Sequence, residues 1–453
     1  MSSSHCLIGH MELDAAVAYR AAGPIPADAF LRDVAGLAKS LPADQDVLNL
    51  CEDRYRFAVT FAATALAGRV SLLPQNRTPR TLAQVAEAHP QVMAIAEEPI
   101  ADCPVPVARY QTLCVPAANT PAVPSIDPNR VVALAFTSGS TGTPKPNAKR
   151  WGMLTAGAQA EHAALQLFGP MNFLGTVPPQ HMYGFESTVI LPLLTGGAFH
   201  CGRPLFPNDV AEALSQLPSH RVLVTAPIHI RACLESAIHF PAVELIVSAS
   251  APAPLSVALA SDAERRYATT VREIYGFTEA GQVAVRRTTE NGPWHTFPNV
   301  SLSQVAGEWS FSGGHVNGIQ AATDLIVAHG PTSFSLQGRR EDVVNVAGKR
   351  ASLADLSFKL TEIPGVIDGV FHVADVVDGA VPRPMAFVVA PGLTEEALRQ
   401  ALRARIDAAF LPRPLVFMSA LPRTPSGKLP LETLRALERE YVRGARERKR
   451  SRD

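Results

Sequence analysis

Three features of the sequence predict an α/β fold: a large N-terminal domain of mostly parallel sheets flanked by helices, then a small α+β domain. Short apolar runs bounded by turn residues alternate with helical patterns up to about residue 300. Beyond that point the pieces look antiparallel. After residue 341 a strand–helix–strand–strand–helix–strand unit of ordinary domain size begins. The expected domains are residues 1–338 and 339–453, with the break at 338–342.

The elements follow in order. "DAFLRDVAGLAKSL", "YRFAVTFAATALAGRV" and "TLAQVAEAHP" carry helical patterns. "QVMAIAEE", "RVVALAFTS", "FLGTVP", "RVLVTAP", "VELIVSAS" and "TVREIYG" read as buried strands, with "AGAQAEHAALQLF" and "DVAEALSQL" as helices between them. "GEWSFSGGHV", "DLIVAHG" and "SFSLQGR" are the antiparallel-looking pieces. In the last domain "LADLSFKLTEI" and "TEEALRQALRARIDAAF" read as helices, and "VIDGVFHVADVV", "PMAFVVAP" and "PLVFMS" as strands. The basic end, "RGARERKRSRD", reads as a frayed, solvated helix end.

Composition narrows the function. The chain has 453 residues, 47% apolar and 18% charged, which suits a globular protein. Lys plus Arg equals Asp plus Glu at 41 each, which argues against a dedicated nucleic-acid binder. No segment approaches a membrane span of about 18 apolar residues, and no targeting signal is visible, so a cytoplasmic location is expected. The 6 cysteines lack CxxC spacing, so free thiols are expected, and no histidine pair has metal-ligand spacing.

The stretch "TSGSTGTPK", residues 137–145, follows an apolar strand. Its glycines can turn backbone N–H groups inward, its hydroxyls add donors and its lysine brings charge. It can be a phosphate nest or only a turn. It is not a Walker loop, because Lys145 stands between two prolines. "IYGFTE" (274–279) offers a stacking ring, a hydroxyl and a carboxylate that suits Mg²⁺, and taken alone it is weak. "GRREDVVNVAGKR" and "LPRTPSGKLPLETL" follow.

In this order and near this spacing, these four stretches resemble the adenylate-forming (AMP-binding) acyl-CoA synthetase and ligase superfamily. Weaker likenesses fill the gaps: "LLPQNRTP", "PPQHMYGFE", "SASAPAPL", "GEWSFSGGHV" and "ATDLI". The resemblance runs from about residue 45 to 435. It implies the adenylate-forming enzyme fold and the following roles. Thr137, Ser138, Gly139, Ser140, Thr141, Gly142, Thr143 and Lys145 would cradle the β- and γ-phosphates of ATP. Tyr275 would stack on adenine, with Ser250 and Ala251 on that side. Thr278 would contact the α-phosphate, and Glu279 would hold Mg²⁺. Asp324 and Arg339 would serve the ribose. Lys428 would be the catalytic lysine delivered by the mobile C-terminal domain, with Glu341 at the hinge. His181, Met182, Tyr183 and Gly184, with Ala226, Pro227, Phe277 and Gly281 nearby, would line an acyl pocket whose small and aromatic residues suit a compact planar acid. His181 can equally be a satisfied structural histidine, and Tyr183 can bond a ring hydroxyl or simply pack.

The implied reaction is ATP-dependent activation of a carboxylic acid to an acyl-adenylate. The acyl group then passes to the thiol of coenzyme A or of a carrier-protein phosphopantetheine. Two anions must meet in the first step, so placed positive charge matters most. "PKPNAKRWG" departs from the usual continuation of the nest, and "SASAP" replaces two glycines of the adenine loop. With this variant the chain looks most like ligases of bacterial aryl-polyene and related pigment or polyketide pathways. Two other outcomes are carried alongside: adenylation with an internal hydroxyl acceptor, giving a β-lactone, and a nucleotide-binding homologue that has lost catalysis. Oligomeric state is left open.

Overall fold

The computed structural model describes residues 5–74, 76–138, 144–236, 238–249, 255–339, 343–346, 349–373, 384–424 and 429–450. The chain divides into two compact units. The first holds Met1–Ser250, Leu259–Ala321 and Gly330–Ser333; the second holds Ala251–Ala258, Ala322–His329 and Phe334–Asp453.

Two sheets organise the first unit. One has the order Val107–Arg109, Val92–Ala96, Asp46–Asn49, Ser71–Leu73, Val131–Ser138, Pro144–Arg150. Its pairs are parallel until the last, where Pro144–Arg150 returns antiparallel to Val131–Ser138. Leu48, Leu72, Leu82, Val85, Ala94 and Phe136 form its core, with the helix Pro79–Ala88 laid on one face. That helix starts where the sequence supplies both start signals: Thr78 caps it by accepting from the Thr81 N–H, and Pro79 takes its first turn.

In the other sheet Thr270–Phe277, Leu245–Ala249, Arg221–Thr225, Asn172–Gly175, Ala198–His200 and Ala16–Arg20 lie side by side, all parallel. Antiparallel strands follow on each side: Gly281–Arg287 beside Thr270–Phe277 and then Trp294–Thr296, and Gly23–Pro26 beside Ala16–Arg20. The inner strands are apolar on both faces, as parallel strands covered on both sides must be.

The helix Arg54–Leu66 is buried almost all round and touches strands of both sheets. At its start Arg54, 1% exposed, reaches out of the helix. Its guanidinium donates to Thr188 Oγ1 (2.9 Å) and to the carbonyls of His200 (3.0 Å), Gly202 (2.9 Å), Gly175 (3.1 Å) and Val177 (2.9 Å). The Arg54 N–H itself donates to the Cys201 carbonyl. A small antiparallel sheet, Ser301–Val305, Glu308–Ser312 and Ile319–Ala321, completes the unit.

The second unit takes all but the facing end residues, Gly330 and Ser333, of the strands Asp324–Gly330 and Ser333–Arg339, and the hairpin Val343–Val346/Lys349–Ser352 comes next. The strands Asp368–Val373, Pro384–Val389 and Leu415–Phe417 form a sheet. Leu356, Leu360, Phe371, Val388, Leu398 and Leu402 pack on one of its faces, and Met385, Phe387, Leu421 and Leu434 on the other. The segment read as one helix, "TEEALRQALRARIDAAF", is shorter than expected. The helix is Glu395–Arg403, and Asp407 then caps a separate turn, Ala408–Phe410, by accepting from the Ala409 N–H. Asp407 ends the pattern because a carboxylate that bonds its own downstream backbone competes with the helix. The basic end as far as Arg450 belongs to a long helix, Leu431–Arg450.

The predicted large α/β domain and smaller α+β domain are the architecture observed. The 6 cysteines are free thiols. Among the described residues no helix is long and apolar enough to cross a membrane.

Candidate active site

The glycine-rich stretch leaves the end of one strand and returns on the next. In the pair Val131–Ser138/Pro144–Arg150, Thr137 lies opposite Lys145. Asn147 ties the mouth of the loop together: its amide donates to the Ala135 carbonyl (3.3 Å), Thr137 Oγ1 (3.4 Å) and the Lys145 carbonyl (3.2 Å). Lys145 is exposed. Gly139, Ser140, Thr141, Gly142 and Thr143 lie outside the described residues, as do Ser250, Ala251, Glu341 and Lys428 and the side chains of Ser138 and Arg339.

"IYGFTE" forms the end of one strand and a tight turn. Thr270–Phe277 and Gly281–Arg287 are a hairpin with an irregularity between Tyr275 and Gly276. A Cβ at Gly276 would stand 2.4 Å from the Gly281 carbonyl oxygen, so the close crossing there needs glycine. The Ala280 N–H donates to the Phe277 carbonyl, and Gly281 takes φ +80°. Thr278 and Glu279 stand at the tip, half-buried. Tyr275 is buried among rings, with centroids 5.8 Å from Trp294, 6.0 Å from Phe311 and 6.3 Å from Phe277.

Beneath that tip lies a polar cluster absent from the sequence reading. Lys149, 2% exposed, donates from Nζ to the Thr278 carbonyl. Burial holds its ammonium below the usual lysine range, opposed by the carboxylates of Glu186 and Glu279. Glu186 packs against the turn so closely that its Oε1 is 2.8 Å from where a Gly281 Cβ would stand. Burial pushes Glu186 up to about 7, against the pull of Lys149. Behind it, Gln282 Nε2 donates to Ser187 Oγ (2.8 Å), and Ser187 Oγ donates to Glu161 Oε1 (2.6 Å). Burial pushes Glu161 up to about 8. His315 Nε2 pairs with the Gln282 carbonyl at 2.7 Å. Leu154, Gly157, Glu161, Glu186, Gln282 and His315 border a small internal cavity. Lys145, Asn147 and Lys149 share one face of their strand, yet Lys145 is exposed and Lys149 buried, so the strand's period alone does not mark Lys149.

The residues expected to line an acyl pocket fall on several elements. His181 precedes the short helix Met182–Phe185, which continues into a π-helical turn, Glu186–Ile190. Gly184 is held against the chain: a Cβ there would meet the Pro178 carbonyl oxygen at 2.1 Å. Tyr183 does more than pack. Its hydroxyl donates to the Val247 carbonyl (2.8 Å), so its one proton is already committed within the fold. Ala226 is buried at the start of the helix Pro227–Glu235. Glu186 joins the His181–Gly184 segment to Gly281. Asp324 opens its strand in the second unit, with Thr323 Oγ1 donating to its Oδ2 at 3.1 Å.

Comparison with known proteins gives the family. Residues 33–304 match the family model "AMP-binding enzyme", and residues 360–428 match "AMP-binding enzyme C-terminal domain". A 4-coumarate–CoA ligase of Rhodobacter capsulatus is 31% identical over 306 residues, covering 65% of this chain and 74% of that protein. An L-allo-isoleucine:holo-[CmaA peptidyl-carrier protein] ligase of Pseudomonas savastanoi pv. glycinea is 25% identical over 387 residues, covering 73% and 63%. Among solved structures, the anthranilate CoA ligase AuaEII in complex with anthranoyl-AMP superposes with TM-score 0.83 at 15% identity, over 96% of this chain and 98% of that one, a likeness of fold. The chain belongs to the AMP-binding enzyme family: it is an AMP-forming, carboxylate-activating ligase that uses ATP to convert an acid into its acyl-adenylate.

Proposed function

We propose that the acid is a compact aromatic or unsaturated one, and that its acyl group passes to a phosphopantetheine thiol of a carrier protein. One observation carries the assignment of the centre. Lys149, on the strand leaving the phosphate nest, donates to the carbonyl of Thr278, so the nest's return strand and the Thr278–Glu279 turn meet at one place.

In this reading residues 137–145 hold the β- and γ-phosphates, Thr278 contacts the α-phosphate, Tyr275 serves the adenine, and Asp324 and Arg339 the ribose. A carboxylate oxygen of the acid bonds to the α-phosphorus while the bond to pyrophosphate breaks. Lys428 meets the negative charge that shifts between them, a donor whose removal typically costs about 3–4 kcal/mol. The thiol sulfur then bonds to the acyl carbon, AMP leaves with the former bonding pair, and the thiol proton goes to solvent. The division of labour is residues 1–338 for ATP and acid, and 339–453 for Lys428, with Glu341 at the hinge between the two steps.

Glu279 fits a metal brought in by the nucleotide. Mg²⁺ so carried needs one or two protein carboxylates, the rest of its shell being phosphate and water. No larger metal cluster is gathered among the described residues. When bound, the metal would supply charge neutralisation for the leaving pyrophosphate.

Two relatives support a thiol acceptor by their names, one a CoA ligase and one a carrier-protein ligase. The choice of a compact acid draws support from Tyr183 and Gly184, which are held in place, one by the hydrogen bond to the Val247 carbonyl and the other by its close approach to the Pro178 carbonyl. The test is acid-dependent pyrophosphate release over benzoic, cinnamic and fatty acids, each with no acceptor, with coenzyme A, and with phosphopantetheinylated carrier protein. The expected result is turnover with an aromatic or unsaturated acid that needs carrier protein, as in aryl-polyene-type pathways. Turnover with fatty acids and coenzyme A overturns both the pocket and the acceptor. AMP release that needs no thiol points instead to an acceptor within the substrate.

A further inference from the structure

We propose that Lys149 is a positioning residue that holds the Thr278–Glu279 turn in the shape that receives the metal–nucleotide. The proposal rests on the reading of that turn given above.

Lys149 is 2% exposed, and an ammonium so deeply buried is costly unless its donors are used and its charge is met. Here Nζ donates to the Thr278 carbonyl, and the two carboxylates that act on its charge are Glu186 and Glu279. The carbonyl of Thr278 belongs to the peptide linking Thr278 to Glu279. Holding that peptide plane restricts ψ of Thr278 and φ of Glu279, and so narrows the directions in which the two side chains leave the backbone. The turn is held from the other side as well. The Ala280 N–H closes on Phe277, and Glu186 lies against Gly281. Lys149 therefore joins three things: the strand that leaves the phosphate nest, the backbone of the turn, and the charge of the carboxylate at its tip. An apolar residue at 149 would pack, but it would leave the Thr278 carbonyl without its donor and Glu186 without its cation.

A scaffold role and a positioning role make different predictions. If Lys149 only neutralises Glu186, then removing both charges restores everything. If it positions the turn, removing both restores the fold and leaves activity low. The experiment uses the full chain as wild type, Lys149→Met, and Lys149→Met with Glu186→Gln. Thermal unfolding is followed by binding of ATP in calorimetry, with Mg²⁺ and with chelator, and by acid-dependent pyrophosphate exchange.

Lys149→Met is expected to lower kcat for exchange about 10- to 100-fold, the range a misplacement of about an ångström produces. The Mg²⁺-dependent gain in ATP affinity should shrink as well, with metal-free binding little changed. The double variant should recover the wild-type unfolding temperature while its kcat stays low. Recovery of kcat together with stability overturns the proposal, as does a wild-type kcat and Mg²⁺ dependence in Lys149→Met. Calorimetry separates this from the underlying reading. If no acid supports exchange but wild type binds Mg·ATP, the acid assignment has failed, and the Mg²⁺-dependent binding of the variants still decides on Lys149. If wild type does not bind Mg·ATP at all, the reading of the turn and the proposal fall together.

Discussion

Gly281 illustrates how much one position can be asked to do. Its φ of +80° is the left-handed region, where a side chain is strained, and the space a Cβ would fill is taken by the Glu186 carboxylate at 2.8 Å. The sequence showed this glycine only as a neighbour of "IYGFTE"; its reason lies in a residue 95 positions earlier, as far off in sequence as Ser187 is from its partner Gln282. The same distance explains why Lys149, Glu161 and Glu186 escaped notice. Each reads locally as an ordinary charge on a helix or strand, and the fold alone brings them together. Glu161 gives a direct test. In the unfolded chain it titrates near its ordinary 4.5, whereas in the fold it keeps its proton to about 8. The folded state therefore binds more protons between those values, and this group's contribution to stability is present at low pH and lost as pH rises through the window. Glu161→Gln should flatten the fall of unfolding free energy between about pH 5 and 8, by up to about 1.4 kcal/mol per pH unit. Urea unfolding of both proteins across that range checks it, and an unchanged slope would mean the carboxyl is ionised in the fold.

Helices and strands were readable because their apolar runs and end signals are local; their pairing was not. Ala198–His200 inserts between Asn172–Gly175 and Ala16–Arg20, and nothing in those short segments names their neighbours. The glycine-rich stretch was readable as a motif because its glycines and hydroxyls are contiguous, whereas the π-helical turn Glu186–Ile190 carries no such mark. What fixes the arrangement is visible in Arg54, whose guanidinium binds the ends of two strands and the π-helical turn to the start of a helix. Burial lowers its pKa to about 10, so it is charged at neutral pH, and its hydrogen bonds go to carbonyls and a hydroxyl. Arg54→Met should cost more than about 3 kcal/mol, because several buried carbonyls lose their donor at once. Denaturant unfolding would show it; a loss under about 1 kcal/mol would mean that water takes over those bonds.

For the molecule entire, the two-domain plan and the reaction were both readable, since the ordered motifs span most of the chain and the family match covers both parts. The acid was not readable, because a pocket's shape is made by residues whose side chains converge only after folding. Lys428→Ala tests the proposed division of labour. It should abolish acid-dependent pyrophosphate release, leave the unfolding transition in place and leave ATP binding within about threefold, since a donor used mainly in the transition state contributes little to ground-state binding. Near-normal exchange in that variant would refute the role given to the lysine.

Three of the free thiols offer a clock for local opening. Cys51, Cys201 and Cys233 are buried, and burial pushes Cys201 up to about 11 and Cys233 to about 12, so thiolate is scarce at neutral pH. In the intact fold they should be silent to alkylating reagents. Each becomes reactive only when its own surroundings part. Cys201 lies where the Arg54 backbone makes its contact, and Cys233 lies in the helix Pro227–Glu235. The order in which mass spectrometry finds them modified would therefore rank the regions of the first unit by how readily they come apart, without a single engineered label.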